Sequence, residues 1–294
     1  MKVFVTGATG FVGSALVPEL IQAGHTVLGM TRSEAGAEAL TKAGAEVHYG
    51  TIEDLESLKA GAAQADATIH LAFNHDFSRF QANCEEDRLA IEAMGQALAG
   101  SDRPFIGTAG VLVGNPVPGQ PLDEDDTKPK DGFPRMSEEA TLETVDKGVW
   151  GIVMRLSQIH DPFKQGLVSF WIQMSLQKKV IAYVGDGSNR WAAAHVSDTA
   201  RLYRLALEKG TAGSKWHAVA EQGVTAKEIA EVLGKRLDLP VVSISAEESV
   251  GQLGFLGHFM SLDCPSSNTK TKERLGWEPV GPTLLEDLSQ LQLS

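Results

Sequence analysis

Three glycines near the start of the chain carry its strongest chemical signal. Gly7, Gly10 and Gly13 stand in Thr6-Gly7-Ala8-Thr9-Gly10-Phe11-Val12-Gly13. The apolar run Val3-Phe4-Val5 precedes them, and an amphipathic stretch from Ser14 to Ala23 follows. A buried strand, a glycine turn and a helix N-terminus in that order form an anion cradle. Glycine permits the tight turn and lets backbone approach a pyrophosphate, while the helix end offers unpaired N–H groups and the positive end of its dipole. The expected ligand is a dinucleotide, its phosphates against Gly7, Thr9, Gly10, Phe11, Val12 and Gly13.

The next strand, Thr26–Met30, runs into Thr31-Arg32-Ser33. An NAD-selective site carries Asp or Glu at this strand end to hold the ribose hydroxyls. Thr31 brings no negative charge to repel a 2′-phosphate. Arg32 and Ser33 bring a guanidinium and a hydroxyl to bind one. NADP(H) is therefore preferred, with NAD(H) as the second choice. The plainer reading makes Arg32 a solvated loop cation. The fourth strand, Ala67–Ala72, continues into Phe73 and passes the ribose and pyrophosphate, which places Leu71, Ala72 and Phe73 at the cofactor. His70 on that strand reads as a packing histidine.

Candidates for proton chemistry lie near the same sheet edge. His75 follows the fourth strand, and its pKa suits proton donation near neutral pH, with Asp76 as its orienter. The alternative is a His–Asp pair that only stabilises the loop. Arg135 and Ser137 begin a later helix and carry hydrogen-bond donors for an oxyanion. Ser137, followed by Glu138 and Glu139, also makes an ordinary helix N-terminus. His160, Trp191 and His195 read either as cleft residues or as packing between two lobes. Gly254–Met260, Phe170 and Trp171 pose the same choice between a cover for substrate and core.

These residues need a sheet to position them. Strands are expected at Lys2–Thr6, Thr26–Met30, Glu46–Tyr49, Ala67–Ala72, Pro104–Thr108 and Gly151–Arg155, with helices between them at Ser14–Ala23, Ala35–Ala43, Asp54–Gln64 and Cys84–Leu98. Short apolar strands alternating with helices predict an α/β protein with a doubly wound parallel sheet of the Rossmann kind. Gly44, Gly61 and Gly100 are expected as left-handed helix caps. After Arg155 the rhythm changes to a helix at Phe163–Gln177, strands at Val180–Val184, Lys215–Val219 and Val241–Ser245, and helices at Val196–Leu207 and from the Thr225 cap to Leu237. The tail from Asp263 reads as irregular up to Pro282–Gln290. The expected division is residues 1–162 for the NADP-binding domain, with 195–207 and part of 225–245 returning to it, and 163–294 for a smaller C-terminal α/β substrate lobe. Gly114–Pro134, rich in Pro, Asp and Lys, reads as a long functional loop.

Bulk properties narrow the partners. The 294-residue chain has a net charge of −12, which argues against nucleic acid and anionic membrane surfaces. Cys84 and Cys264 have no metal-ligand spacing, so no metal site is expected. Reduced thiols, a strand starting at Lys2 and the lack of a long apolar run make a cytoplasmic protein the expectation.

The chain also resembles an extended short-chain dehydrogenase/reductase, of the NAD-dependent epimerase/dehydratase-like superfamily, nearly end to end. The resemblance rests on Thr6-Gly7-x-x-Gly10-x-x-Gly13, Ile69-His70-Leu71-Ala72, Arg155–Pro162, Arg190 with His195-Val196-Ser197-Asp198, and Gly276-Trp277-Glu278-Pro279. It implies that Thr108, Ser157 and Ile159 also lie at the cofactor. The family's catalytic Ser and its Tyr-x-x-x-Lys are missing. Gly110 stands where the Ser is expected, Pro134 where the Tyr belongs and Glu138 where the Lys belongs. The chain thus resembles the atypical members that keep the fingerprint and lose the Tyr. The implied activity is NADP(H)-dependent reduction of a small-molecule carbonyl, an aldehyde or ketone, with a non-standard proton donor. A cofactor-binding sensor without turnover and a sugar epimerase or dehydratase are the alternatives. Family analogy also implies a homodimer through Cys84–Leu98 and Ser137–Val145.

Overall fold

The computed structural model describes residues 1–111, 117, 119–127 and 134–293. Residues 114–116, 118 and 128–133 of the Gly114–Pro134 loop lie outside them. The first half alternates β1 (Lys2–Thr6), α1 (Phe11–Gln22), β2 (Thr26–Thr31), α2 (Glu34–Lys42), β3 (Glu46–Tyr49), α3 (Leu55–Ala63), β4 (Ala67–His70), α4 (Phe80–Leu98), β5 (Pro104–Gly110), α5 (Ser137–Glu143) and β6 (Trp150–Leu156). The second half contains β7 (Gln158–His160), α6 (Leu167–Lys178), β8 (Ile181–Val184), β9 (Arg190–His195), α7 (Val196–Lys209), β10 (Lys215–Ala218) and β11 (Glu221–Thr225). It closes with α8 (Ala226–Leu237), β12 (Val241–Ile244), α9 (Ala246–Leu253), α10 (Thr269–Leu275) and α11 (Leu284–Ser289).

Seven strands form one parallel sheet in the order β10-β6-β5-β4-β1-β2-β3. Helices cover both faces, which is why its strands are apolar on both sides. Val3 and Val5 pack with Leu16 and Leu20 of α1 and Tyr203 of α7. Phe4, between them in sequence, packs on the opposite face with Leu58 of α3 and Ile91 and Met94 of α4. The α/β class and doubly wound sheet are those expected from the sequence. Strand order reverses direction between β1 and β4, and ligands of such sheets bind at the carboxyl ends of the strands flanking that point.

A second core gathers Trp171 and Ile172 of α6, Ile229 and Leu233 of α8, Leu253, and Leu284 and Leu288 of α11. It holds a three-stranded sheet, β11-β9-β7, and a parallel pair, β12-β8. The segment that returns to the large sheet here is β10, beside β6. The expected return of part of 225–245 does not occur, because α8 buries its apolar stripe in the second core. α7 packs against α1.

Several expected boundaries move for local reasons. α6 begins at Leu167, not Phe163, because Gly166 at φ +57° breaks the chain direction before it. Gly44 and Gly100 have positive φ, as a cap requires. Gly61 instead lies inside α3, where a Cβ would intrude on the ring of Phe4. β7, β9, β11, α9 and α10 are not among the elements expected from the sequence: β7 has three residues, β9 is half alanine, β11 is polar, and α10 lies in the tail read as irregular. The outer face of α4 carries Glu85, Arg88 and Glu92, with Arg88 paired to both acids.

Candidate active site

The glycine turn has the geometry of a phosphate cradle. Gly7 adopts φ +65°, and a Cβ there would lie 2.8 Å from the Ala72 nitrogen and 2.9 Å from the Leu71 carbonyl carbon. The turn is thus pressed against the exit of β4. The Gly10 N–H donates to the Gly7 carbonyl at 2.9 Å. A Cβ on Gly13 would overlap the Gly7 carbonyl oxygen and lie 2.8 Å from two backbone carbons of Ala8. Side chains cap the N-termini of α2, α3, α8, α9 and α11 through Ser33, Asp54, Thr225, Ser245 and Thr283. α1 has Gly10 at its cap, no side-chain acceptor and no acid in its first turn. Those first-turn amides lack a side-chain partner of the kind a phosphate oxygen supplies. The residues present therefore fit a dinucleotide. Thr9 and Gly10 are exposed there, and Phe11 and Val12 are half-buried.

The end of β2 meets the start of α2 tightly. Thr31 is buried, and a Cβ on Gly36 would collide with its hydroxyl. Ser33 accepts the Gly36 N–H at 3.2 Å. Arg32 is exposed and makes no ion pair among the described residues. The nearest acid in sequence, Glu34, accepts the Tyr49 hydroxyl at 2.9 Å.

A buried polar chain runs from the glycine turn to the start of α5. Thr6 Oγ1 accepts the Leu71 and Ala72 N–H groups, each at 3.2 Å. With its lone pairs so used, its O–H donates to His70 Nδ1 at 2.7 Å. His70 must then carry its proton on Nε2, which donates to Asp87 Oδ1 at 3.2 Å. The Ser137 hydroxyl donates to Asp87 Oδ2 at 2.5 Å, and Arg135 Nε donates to Ser137 Oγ at 2.8 Å. Arg135 also donates to the Thr108 carbonyl at 3.2 Å and lies 4.2 Å over the Phe73 ring. Thr6, His70, Asp87 and Ser137 are all at most 1% exposed. Burial alone would push the Asp87 carboxyl up. The hydrogen bond from His70, the charge of Arg135 and the Ser137 hydroxyl outweigh it and hold the carboxyl below its ordinary value.

This chain changes the roles expected for several residues. Ser137 was a candidate donor to an oxyanion, but its one O–H is spent on Asp87. Its geometry makes it a holder of Arg135. Thr108 is 7% exposed; its hydroxyl donates to the His70 carbonyl at 2.6 Å and meets the Tyr203 hydroxyl at 2.7 Å. That hydroxyl is directed into the protein, away from a cofactor. Burial pushes the Tyr203 phenol up, so Tyr203 is a neutral core group rather than a substitute for the missing tyrosine. Ile159 is 4% exposed and belongs to the main core, and the Ser157 hydroxyl donates to the Ala218 carbonyl. Glu138, which the resemblance sets at the position of the family lysine, is held at two oxygens by Arg155 of β6.

The rim of the site holds His75. Desolvation by its neighbours and then the charge of Arg135 hold its imidazole below its ordinary pKa, although the residue is exposed at the surface. Asp76 does not orient it; that carboxylate accepts the N–H and O–H of Ser78 and caps a single 3-10 turn, Phe77–Arg79. His160 binds Asp287 at 2.7 Å in full burial, Trp191 donates to the Leu262 carbonyl, and His195 caps α7. These three are packing groups. Asp87 went unread in the sequence, although an acid within the apolar stripe Cys84, Ile91, Met94, Leu98 was a visible signal.

Residues 3–219 match the model of the NAD dependent epimerase/dehydratase family, and the chain belongs to that family. An uncharacterized protein of Schizosaccharomyces pombe is 46% identical over 293 residues, 98% of either chain. A 2-alkyl-3-oxoalkanoate reductase of Stenotrophomonas maltophilia is 28% identical over 71% of this chain and 66% of its own. Among solved structures, a dTDP-glucose 4,6-dehydratase of Streptomyces venezuelae superposes with a TM-score of 0.79 at 19% identity, over 99% of this chain and 95% of that one. The family is enzymatic and NAD(P)-dependent, and the fold is that of its extended members. Among the described residues, no helix is long and apolar enough to cross a membrane.

Proposed function

We propose that this protein is an NADP(H)-dependent reductase of a small aldehyde or ketone, with Arg135 in place of the family's tyrosine. A reduced nicotinamide, when bound, supplies the hydride. The chain's own residues must hold the cofactor, present the carbonyl and stabilise the negative oxygen that results. Gly7, Gly10, Gly13 and the first turn of α1 hold the pyrophosphate. Arg32 and Ser33 take the 2′-phosphate, where Thr31 brings no opposing charge. Arg135 stabilises the alkoxide by its fixed positive charge. His75 stands beside it to pass a proton from solvent to the alkoxide oxygen.

The observation that carries this reading is the anchoring of Arg135 by Ser137 and Asp87 at the start of α5. A preset guanidinium needs no reorganisation when charge develops. The similarity to a reductase supports the same direction. Epimerase or dehydratase chemistry is less well served. Its usual base is replaced by Pro134, and Glu138 is engaged by Arg155. Pairing of two copies through α4 and α5 is part of the proposal and is checked by light scattering.

The test is purified protein with NADPH and a panel of aldehydes and ketones, followed as cofactor oxidation. Turnover is expected, and Arg135→Ala should lower kcat/KM by about a hundredfold, the scale of losing one oxyanion-stabilising group. NADPH binding without turnover on the whole panel would replace this reading with that of a sensor.

A further inference from the structure

Aromatic side chains from both halves of the chain form one row of contacts, and its end at Phe73 lies against Arg135. Phe73 and His75 follow β4, Phe77 lies in the 3-10 turn and Phe80 opens α4. Phe170 belongs to α6 and Phe255 to a 3-10 turn, Gly254–His258, in the second half. Phe77 stacks on Phe255 with centroids 4.2 Å apart and planes 12° apart. Phe170 stands edge-on to both, at 5.4 Å from each. Phe73 meets His75 at 5.3 Å and Phe80 at 6.3 Å. None of the five phenylalanines is fully buried.

A group of half-buried rings held edge-to-face and stacked is unlike the interior of this protein, where large rings such as Trp171 and Phe105 are sealed. Its inner end touches the guanidinium over Phe73. Its outer end spans the two halves. Ring faces and edges carry opposite partial charge, so such a wall takes a planar π-system in stacked or edge-on contact. It offers no fixed set of donors to a sugar or diphosphate.

We propose that this wall is the substrate subsite and selects aryl or conjugated planar carbonyl compounds over aliphatic aldehydes and nucleotide sugars. The inference rests on the reductase reading for the reaction, but not for the binding. The ring of the substrate packs on the open edges of Phe77, Phe170 and Phe255, which fill the space between themselves, and its carbonyl oxygen points to Arg135. Phe73 holds the guanidinium in place by its ring face.

Two measurements test it. The first is calorimetric titration with benzamide, an unreactive aryl carbonyl, on the protein without cofactor. Saturable binding is expected, weakened about tenfold in Phe77→Ala and in Phe255→Ala. The second is the kcat/KM ratio of benzaldehyde to butanal with NADPH. A ratio above about ten is expected in the wild type, falling towards one in Phe255→Ala and retained in Phe255→Tyr. Reduction of both aldehydes at equal efficiency, with no benzamide binding, would overturn the subsite and leave the reductase standing. Benzamide binding lost in the Phe variants, with no carbonyl reduced, would keep the subsite and remove the reductase. Turnover of a nucleotide sugar would overturn both.

Discussion

Replacing Asp87 by Asn tests the buried chain at its centre. The carboxylate accepts two donors, His70 Nε2–H and the Ser137 O–H, on its two oxygens. An amide has one acceptor oxygen and one NH2 group, so it must face one of these donors with another donor. His70 cannot resolve the conflict by moving its proton to Nδ1, because Thr6 Oγ1 already accepts two backbone N–H groups. The Ser137 hydroxyl is then the one displaced, and Arg135 loses the charge it faces through Ser137. A lost hydrogen bond to a buried charged group costs about 1.5–3 kcal/mol, and removing a buried charge returns part of that. A net loss of about 2 kcal/mol lowers Tm by about 3 °C for a chain of this length. Thermal scans should show that shift. NADPH affinity should stay within about twofold, because the turn amides are untouched, while kcat/KM falls about tenfold through Arg135. In a double-mutant cycle, Asp87→Asn and Ser137→Ala should couple by about 1 kcal/mol. Additive effects on Tm, with kcat/KM unchanged in both, would refute the link from Asp87 to Arg135.

Other outcomes follow from single positions. Arg32→Ala should weaken NADPH binding about tenfold and leave NADH binding unchanged, as isothermal titration would read; equal loss for both would show a general effect on the turn. Gly13→Ala forces a methyl group against the Gly7 carbonyl, and should lower Tm and weaken NADPH binding at least about tenfold. Burial first, and then the charge of Arg155, lower the His217 pKa from 6.5 to about 4. Between those values the unfolded chain binds a proton that the folded one does not. Stability from this site is therefore full above pH 6.5 and falls by up to about 3 kcal/mol as pH drops to 4, with no further loss from it below. Urea titrations of wild type and His217→Gln across that range should show a shallower acid slope in the variant.

The sequence alone determined the cofactor turn and the sheet that holds it. The turn depends on contacts close along the chain, a strand, a glycine spacing and a helix start within Lys2–Gln22, and each strand of the sheet announces itself by its own local apolar run. The apolar strands were readable for a similar reason, since burial on both faces leaves no polar face to confuse their pattern. The capping box at Thr225 and Glu228 was legible because both partners lie within one turn. Strands β7, β9 and β11 were not legible. β7 has only three residues, β9 is half alanine, which favours strands weakly, and β11 is polar and partly exposed. Distance along the chain hid the roles of the site residues. Ser137 looks like a donor until Asp87, fifty residues earlier, is seen to take its proton. His75 and Asp76 are adjacent in sequence, yet the backbone sends the carboxylate to Ser78. Only the tertiary structure brought Phe77 to Phe255 and Arg135 to Phe73, because side-chain contacts across two cores carry no signature in local spacing.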